Sequence, residues 1–445
     1  MSQPETTMAA EVVSALDVAV QDARATYAAA RPVSAAQAAA AAKVLPAGST
    51  RSVLDFEPFP FRVAAASGAR LHDVDGFTYV DLLGDYTAGL LGHDPPEVAA
   101  AVEETLARGW AVGAIGDGEH RLAELLCERF PSVDQIRFTN SGTEANLMAI
   151  QLARFVTGRR RVLVCHGGYH GGLLYFGSGG SALQMPFDFA MATYNDLASV
   201  AAHFADPDDL PACVLLEPMM GAGGVIRATE EFLTGVRRLC TEHGTRLIFD
   251  EVMTSRMSTG GAQLRLGVTP DLTTLGKYLG GGLTFGAFGG SADDMGAFDP
   301  ARGGALTHGG TFNNNAFTMR AGAAAVEHVL TAEALDALFA RGEALRARLV
   351  AVIGDRPLTV TGWGSMVGVH AMAPPVRRPE DLVAADPAVA ELVFHGLLAE
   401  GFYMAKRGLI ALSLALDDDD LDAFVTAFTR VIDDLTHRSL LPSEP

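Results

Sequence analysis

Cysteine is scarce in this chain: Cys127, Cys165, Cys213 and Cys240 are the only four in 445 residues, with no CxxC pair and no metal-ligand spacing. That excludes a disulfide framework and gives no zinc cluster. Cys165 and Cys213 lie in strand-like apolar runs and read as buried thiols of a reducing cytoplasm. Basic runs are also missing, and the formal net charge is −20. Nucleic acid and anionic membrane are poor partners for such a surface. No apolar stretch is long enough to span a bilayer, and the longest alanine run is cut by Lys43 and Pro46. The N-terminus has no basic segment ahead of an apolar core, so no secretory signal is read and a cytoplasmic location is expected.

Only 19% of the residues are charged and 49% are hydrophobic, which describes a packed globular protein. The length suggests two or three domains. Residues 1–75 read as an N-terminal segment of helices, an ordered loop and a hairpin turning at Asp75-Gly76. Residues 76–325 alternate short apolar strands with amphipathic helices. The strand candidates are "QIRFTN", "RVLVCH", "ACVLLEP", "TRLIFDEV", "DLTTL" and "FGAFGG"; the helix candidates include 95–108, 119–130, 143–156 and 230–243. That alternation predicts an α/β fold with a mostly parallel sheet between helices. Functional groups then gather at the carboxyl ends of the strands. Residues 326–445 read as a smaller α+β domain. Its last helix opens with acids in the first turn.

Four strand ends carry chemistry. Ser141, Gly142 and Thr143 sit where a strand turns into a helix, and their N–H groups and hydroxyls suit a phosphate. Taken alone, Ser141 is equally a helix cap, with Glu144 completing a capping box. Asp250 ends a buried apolar strand, where a carboxylate needs a partner or a function. Tyr169 and His170 follow another strand; His166 and His170 are four apart, but the intervening Gly-Gly and the lack of a third ligand give no metal site. Lys277 follows "DLTTLG". GxxxxGK[ST] is absent, so this is no Walker A loop. A lysine in an apolar pocket has a lowered pKa and becomes a nucleophile, whereas a loop lysine simply reaches solvent. Together, a phosphate cradle, an aromatic plate, a carboxylate and a desolvated amine match the needs of pyridoxal phosphate.

The segments "NSGTEAN", "GGYHGG", "LLEPMMGAGG", "LIFDEVMTSR", "DLTTLGKYLGGGLTFGAFGG" and "GGTFNNN" resemble the class III pyridoxal-phosphate aminotransferases of fold type I, in that family's order, over most of residues 45–325. The resemblance implies that Lys277 carries the cofactor covalently and that Asp250 pairs with its pyridine nitrogen. Val252 would pack on one ring face and Tyr169 on the other. Ser141, Gly142 and Thr143 would bind the phosphate, and Thr311 would reach the phosphate of a neighbouring subunit in a homodimer with shared active sites. His170 and Glu217 would lie among the cofactor-binding residues, and Met220 beside the substrate.

Within that family the chain departs from glutamate-1-semialdehyde aminomutases at "AGSTRSVLDFEPFPF" and at Thr284, where those enzymes carry proline. It looks more like the aromatic β-amino-acid aminotransferases. By that likeness Arg51 grips a substrate carboxylate and Arg407 stands near the mouth of the site, a task that suits a planar guanidinium. The implied reaction moves the amino group of a β-amino acid to a 2-oxo acid such as 2-oxoglutarate or pyruvate. The alternatives are the semialdehyde aminomutase, a broad ω-amine transaminase, and a homologue that binds cofactor without turnover.

Overall fold

A computed structural model describes residues 14–177 and 180–442; the N-terminal stretch in which no secretory signal is read lies mostly outside them. A seven-stranded sheet runs in the order Gln135–Thr139, Gly286–Gly290, Leu272–Gly276, Arg246–Asp250, Cys213–Leu216, Val162–Cys165, Phe189–Ala192. Gly286–Gly290 is antiparallel to both neighbours, and the remaining pairs are parallel.

The inner strands Val162–Cys165 and Cys213–Leu216 are apolar along their whole length because both faces are covered. Val162, Val164, Cys213, Leu215 and Ile248 face one cluster, with the helix Gly142–Thr157. Leu163, Cys165, Val214, Leu216, Leu247 and Phe249 face the other, with the helix Glu230–His243. Neighbours in sequence thus alternate between two cores, as a pleated strand requires. Each fully buried Val or Leu contributes about 1.5–3 kcal/mol. The flanking helices are cut cleanly. Ser141 and Thr229 cap their N-termini, and Gly158 and Gly244 end them in the left-handed conformation. Cys165, Cys213 and Cys240 are buried and Cys127 is half-buried; burial pushes the Cys165 and Cys240 thiols up to about 12.

Three smaller sheets complete the fold, one of them the two-stranded pair Met219–Met220 and Ile226–Arg227. The hairpin of Arg70–Asp73 and Thr78–Asp81 turns at Asp75-Gly76 as expected, and Phe402–Tyr403 from near the C-terminus pairs in parallel beside it. Thr359–Trp363, Met366–His370 and Leu409–Ala411 form the third. Asp417 caps the last helix, Asp418–His437, and Asp420 of its first turn pairs with Arg70. The chain leaving Asp81 runs beside the segment that carries Arg407, with the Leu82 N–H donating to the Tyr403 carbonyl and the Leu82 carbonyl accepting from the Ala411 N–H. Among the described residues no helix is long and apolar enough to cross a membrane.

Candidate active site

The strand Leu272–Gly276 is buried throughout and ends at Lys277, whose φ is +58°. That left-handed kink turns the chain at the end of the strand, beside the parallel neighbour that ends at Asp250. Burial pushes the Lys277 amine down to about 8, against the opposing pull of Asp250 and Glu217. Its Nζ donates to Thr87 Oγ1 at 2.8 Å. Lys277 is one of three lysines in the chain, with Lys43 and Lys406.

Asp250 is 4% exposed and fully engaged. Its Oδ2 accepts from Asn146 Nδ2 and faces His170 Nδ1, both at 2.8 Å, and its Oδ1 accepts from the Val252 N–H at 3.0 Å. Asn146 in turn donates to the His170 carbonyl and accepts from Thr274 Oγ1. His170 is therefore a carboxylate partner beside the site. Asn146 was not singled out from sequence, although it is the last letter of "NSGTEAN". The adjacent Glu251 has a different task. It accepts from the N–H groups of Ala262 and Gln263 and from Thr254 Oγ1, which pins the following turn.

At the other end of the site, Ser141 Oγ accepts from Glu144 N at 3.2 Å and so caps the helix, but the expected capping box does not form, because the Glu144 carboxylate accepts from the Asn140 N–H at 2.9 Å. The next N–H groups, of Gly142 and Thr143, have no intrahelical acceptor and face outward at the positive end of the helix. Backbone packing here is close. A Cβ at Gly142 would lie 2.8 Å from Val252 Cγ2, and one at Gly171 would lie 2.0 Å from Thr143 Oγ1. Val252 thus sits against the helix start, and the Tyr169–His170 loop sits against Thr143. Tyr169 is 41% exposed, its N–H donates to Glu217 Oε1 at 3.1 Å, and its ring meets Tyr175 edge-on.

These groups fit pyridoxal phosphate. Free helix N–H groups can take a phosphate, an engaged carboxylate can face a ring nitrogen, Val252 and Tyr169 can flank a flat ring, and a desolvated amine can bond an aldehyde.

The mouth is built by residues that sequence reading did not connect. Gly84, Asp85, Tyr86 and Thr87 are all left-handed, with φ of 51, 46, 52 and 78°. For the three that carry a Cβ this costs roughly 1–2 kcal/mol each. Asp85 pairs with Arg51, and Tyr86 donates to the Val53 carbonyl. The guanidinium carbons of Arg51 and Arg407 lie 6.0 and 5.0 Å from the centre of the Tyr86 ring. The two expected arginines therefore converge on one side chain. Met220 is placed differently from the expectation. It is 1% exposed and packs in the apolar cluster with Cys165 and Leu216, so in this packing it is a wall beneath the site and not a surface open to substrate. Thr311 is exposed, two residues from Asn313, whose Oδ1 accepts from Asn140 Nδ2 at 2.9 Å.

Glu217 is buried and accepts from Tyr169 N and, at 2.9 Å, from Gly221 N. Burial pushes its carboxyl up to about 7, with His170 opposing and Asp250 reinforcing. The sign of the linkage follows. The folded chain keeps a proton that the unfolded chain loses, so this group's stability is full below about pH 4.5 and is lost as pH rises through about 7. The slope is worth up to about 3 kcal/mol. In Glu217→Gln apoprotein, thermal unfolding should lose that slope between pH 5 and pH 8, roughly the window of the shift. An unchanged slope would remove Glu217 as its source.

The chain as a whole matches known proteins. Residues 54–432 match the family Aminotransferase class-III. The chain is 47% identical over 431 residues to a beta-phenylalanine transaminase of Variovorax paradoxus, covering 96% of this chain and 99% of that one. The crystal structure of the beta-phenylalanine aminotransferase from Variovorax paradoxus superposes with a TM-score of 0.94 at 46% identity, over 97% of this chain and all of that one. A glutamate-1-semialdehyde 2,1-aminomutase of Nitratidesulfovibrio vulgaris is 38% identical, over 88% of this chain and 97% of that one. The chain belongs to the class III aminotransferases of fold type I: it is a pyridoxal-phosphate enzyme that moves an amino group from a donor to a 2-oxo acid.

Proposed function

We propose that the donor is a β-amino acid with an aromatic side chain, of the β-phenylalanine kind, and that the acceptor is 2-oxoglutarate, pyruvate or a similar 2-oxo acid. The observation that carries this reading is the pair of guanidiniums, Arg51 and Arg407, gathered at Tyr86. A β-amino acid holds its carboxylate one carbon further from the amine than a 2-oxo acid holds its own from the ketone. Two neighbouring cations can serve both. The activity named for the 47% identical relative supports the donor class.

When bound, pyridoxal phosphate supplies an aldehyde that condenses with amines and a protonated ring that accepts the electron pair released at the amine-bearing carbon. The residues do the rest. Ser141, Gly142 and Thr143 hold the phosphate. Asp250, oriented by Asn146 and His170, keeps the ring nitrogen protonated. Val252 and Tyr169 fix the plane of the ring. Lys277 would carry the group and, as a base, would take the proton from the amine-bearing carbon of the donor; a pKa depressed to about 8 keeps it usable near neutrality. Arg51 anchors the donor carboxylate and Arg407 assists the acceptor. Water would supply the carbonyl oxygen with which the donor leaves as a 3-oxo acid, its nitrogen staying with the bound group, and the 2-oxo acid would then take up that nitrogen and give back a water. In this proposal the chain acts in the cytoplasm as a homodimer, with Thr311 reaching the phosphate of the adjoining site.

The test is a donor panel of α-, β- and ω-amino compounds, read from the cofactor spectrum in the half-reaction, on wild type and Arg51→Ala. The variant should lose roughly 100-fold in kcat/KM for β-amino acids, the value of a charge-assisted bidentate contact, and far less for carboxylate-free amines. Equal losses on both would sink the role of Arg51. Turnover of glutamate-1-semialdehyde without added acceptor would point to the aminomutase instead.

A further inference from the structure

The left-handed turn Gly84–Thr87 reaches further into the site than the mouth. Left-handed φ is uncommon for residues with a Cβ, and for a β-branched residue such as Thr87 it is an outlier. Such conformations persist only where their surroundings over-determine them. At the start of the turn, Asp81 Oδ1 accepts from the Leu83 and Gly84 N–H groups, both at 2.9 Å. At its end, the Gly89 N–H closes back on the Gly84 carbonyl at 2.7 Å. The Thr87 side chain is fully buried, and its hydroxyl lies 2.8 Å from Nζ of Lys277, a residue itself held left-handed. Two non-glycine residues 190 positions apart thus share an unfavourable backbone region and meet through one hydrogen bond.

We infer that Thr87 is a positioning residue for Lys277: its hydroxyl accepts from Nζ whenever that nitrogen is not joined to the cofactor, and so fixes where the base waits for the substrate proton. This rests on the reading of Lys277 as the cofactor-bearing lysine. The chemistry suits a hydroxyl better than a carboxylate. A lysine amine on its flexible stem needs a fixed acceptor to stay in place. A carboxylate would hold it as an ammonium, without a lone pair. A neutral hydroxyl takes one N–H of the neutral amine and leaves the lone pair free. The charged groups facing the amine are Asp250 and Glu217 on neighbouring strand ends, Asp85 on the same turn as Thr87, and Arg256. Thr87 is the neutral group among these neighbours and touches Nζ directly.

The test uses apoenzyme, so it does not depend on turnover. Wild type, Thr87→Val, Thr87→Ala and Thr87→Ser are labelled with an amine reagent such as trinitrobenzenesulfonate across a pH series. Modification of Lys277 is read by peptide mass spectrometry, with Lys43 and Lys406 as internal references. An acceptor favours the charged amine, so removing it in Thr87→Val should move the Lys277 profile to lower pH, with labelling several-fold faster near neutrality. Thr87→Ser should restore the wild-type profile. Thr87→Ala carries the same test should Thr87→Val fail to fold. A Thr87→Val or Thr87→Ala profile that superimposes on wild type would overturn the inference. In parallel, borohydride reduction of the holoenzyme followed by peptide mapping locates the lysine that carries the cofactor. Cofactor on another lysine would overturn the reading beneath it; cofactor on Lys277 with unmoved profiles would overturn Thr87 alone.

Discussion

Replacing Lys277 with methionine is expected to lower turnover by about 10⁴-fold or more, because the variant loses its proton carrier as well as the covalent attachment. The cofactor should still bind. Under the proposed assignment its phosphate is held by Ser141, Gly142 and Thr143 and its ring by Asp250, Val252 and Tyr169, none of which the substitution touches. Methionine matches lysine in length and removes only the amine, so the packing around Leu275 and Tyr278 should persist. A small primary amine added to the solution should restore part of the rate by carrying the proton that Lys277 no longer carries. The same variant makes a prediction about stability, with a definite sign. The folded chain holds the Lys277 pKa at about 8, below its ordinary value of 10.5, so burying the charged amine is a cost that is full below pH 8 and fades as pH rises toward 10.5. Lys277→Met apoprotein should therefore melt above wild type at neutral pH, and the gap should close in alkali. Thermal unfolding at pH 7 and near pH 10 reads this directly, since the two conditions lie on either side of that window. A variant that turns over normally, or one destabilised equally at both pH values, would contradict the placement of Lys277 as a desolvated base.

The parts of this site that could be read from sequence are those set by local pattern. Continuous apolar runs placed six strands of the large sheet, because strands buried on both faces have no polar alternation to obscure them. Phe189–Ala192 escaped because "FAMA" is an edge strand without a β-branched residue. Lys277 and Asp250 became legible only together with the phosphate-suited turn and Tyr169, because a loop lysine or a strand-end acid taken alone has a bland explanation. Only the family resemblance separated Asp250 from Glu251, since adjacent residues point to opposite faces and local pattern does not say which face is the site. Ser141 was ambiguous for a good reason: the same residue caps the helix and opens the anion cradle. Thr87, Tyr86 and Asp85 were not singled out from sequence. Their contribution arises from a left-handed turn, which no propensity favours, and from contacts to Lys277 and Arg51 that lie 190 and 34 residues away. Long-range geometry of this kind leaves no local trace.

Two substitutions at Asp250 separate its chemistry from its architecture. Its Oδ2 serves both Asn146 and His170, whereas its Oδ1 serves the Val252 N–H alone. Asp250→Asn can set its amide oxygen where Oδ2 was and leave one backbone N–H unpaired, a cost of about 1–3 kcal/mol. It cannot hold a proton on a ring nitrogen as a carboxylate does, so turnover should fall by about 10³-fold, the scale of losing one well-placed electrostatic group. Asp250→Ala should lose the same activity but also strand Asn146, His170 and Val252 without their acceptor, and its melting temperature should fall well below that of Asp250→Asn. A cofactor analogue methylated on the ring nitrogen carries a permanent positive charge there. It should restore part of the rate in Asp250→Ala, although it cannot restore the hydrogen bonds or the stability. Steady-state rates and thermal unfolding of both variants, with each cofactor, distinguish the two contributions. Recovery of the rate without recovery of the melting temperature is the expected pattern. No recovery with the methylated analogue would mean that the carboxylate acts through His170 and Asn146 alone, and that ring protonation is not its task.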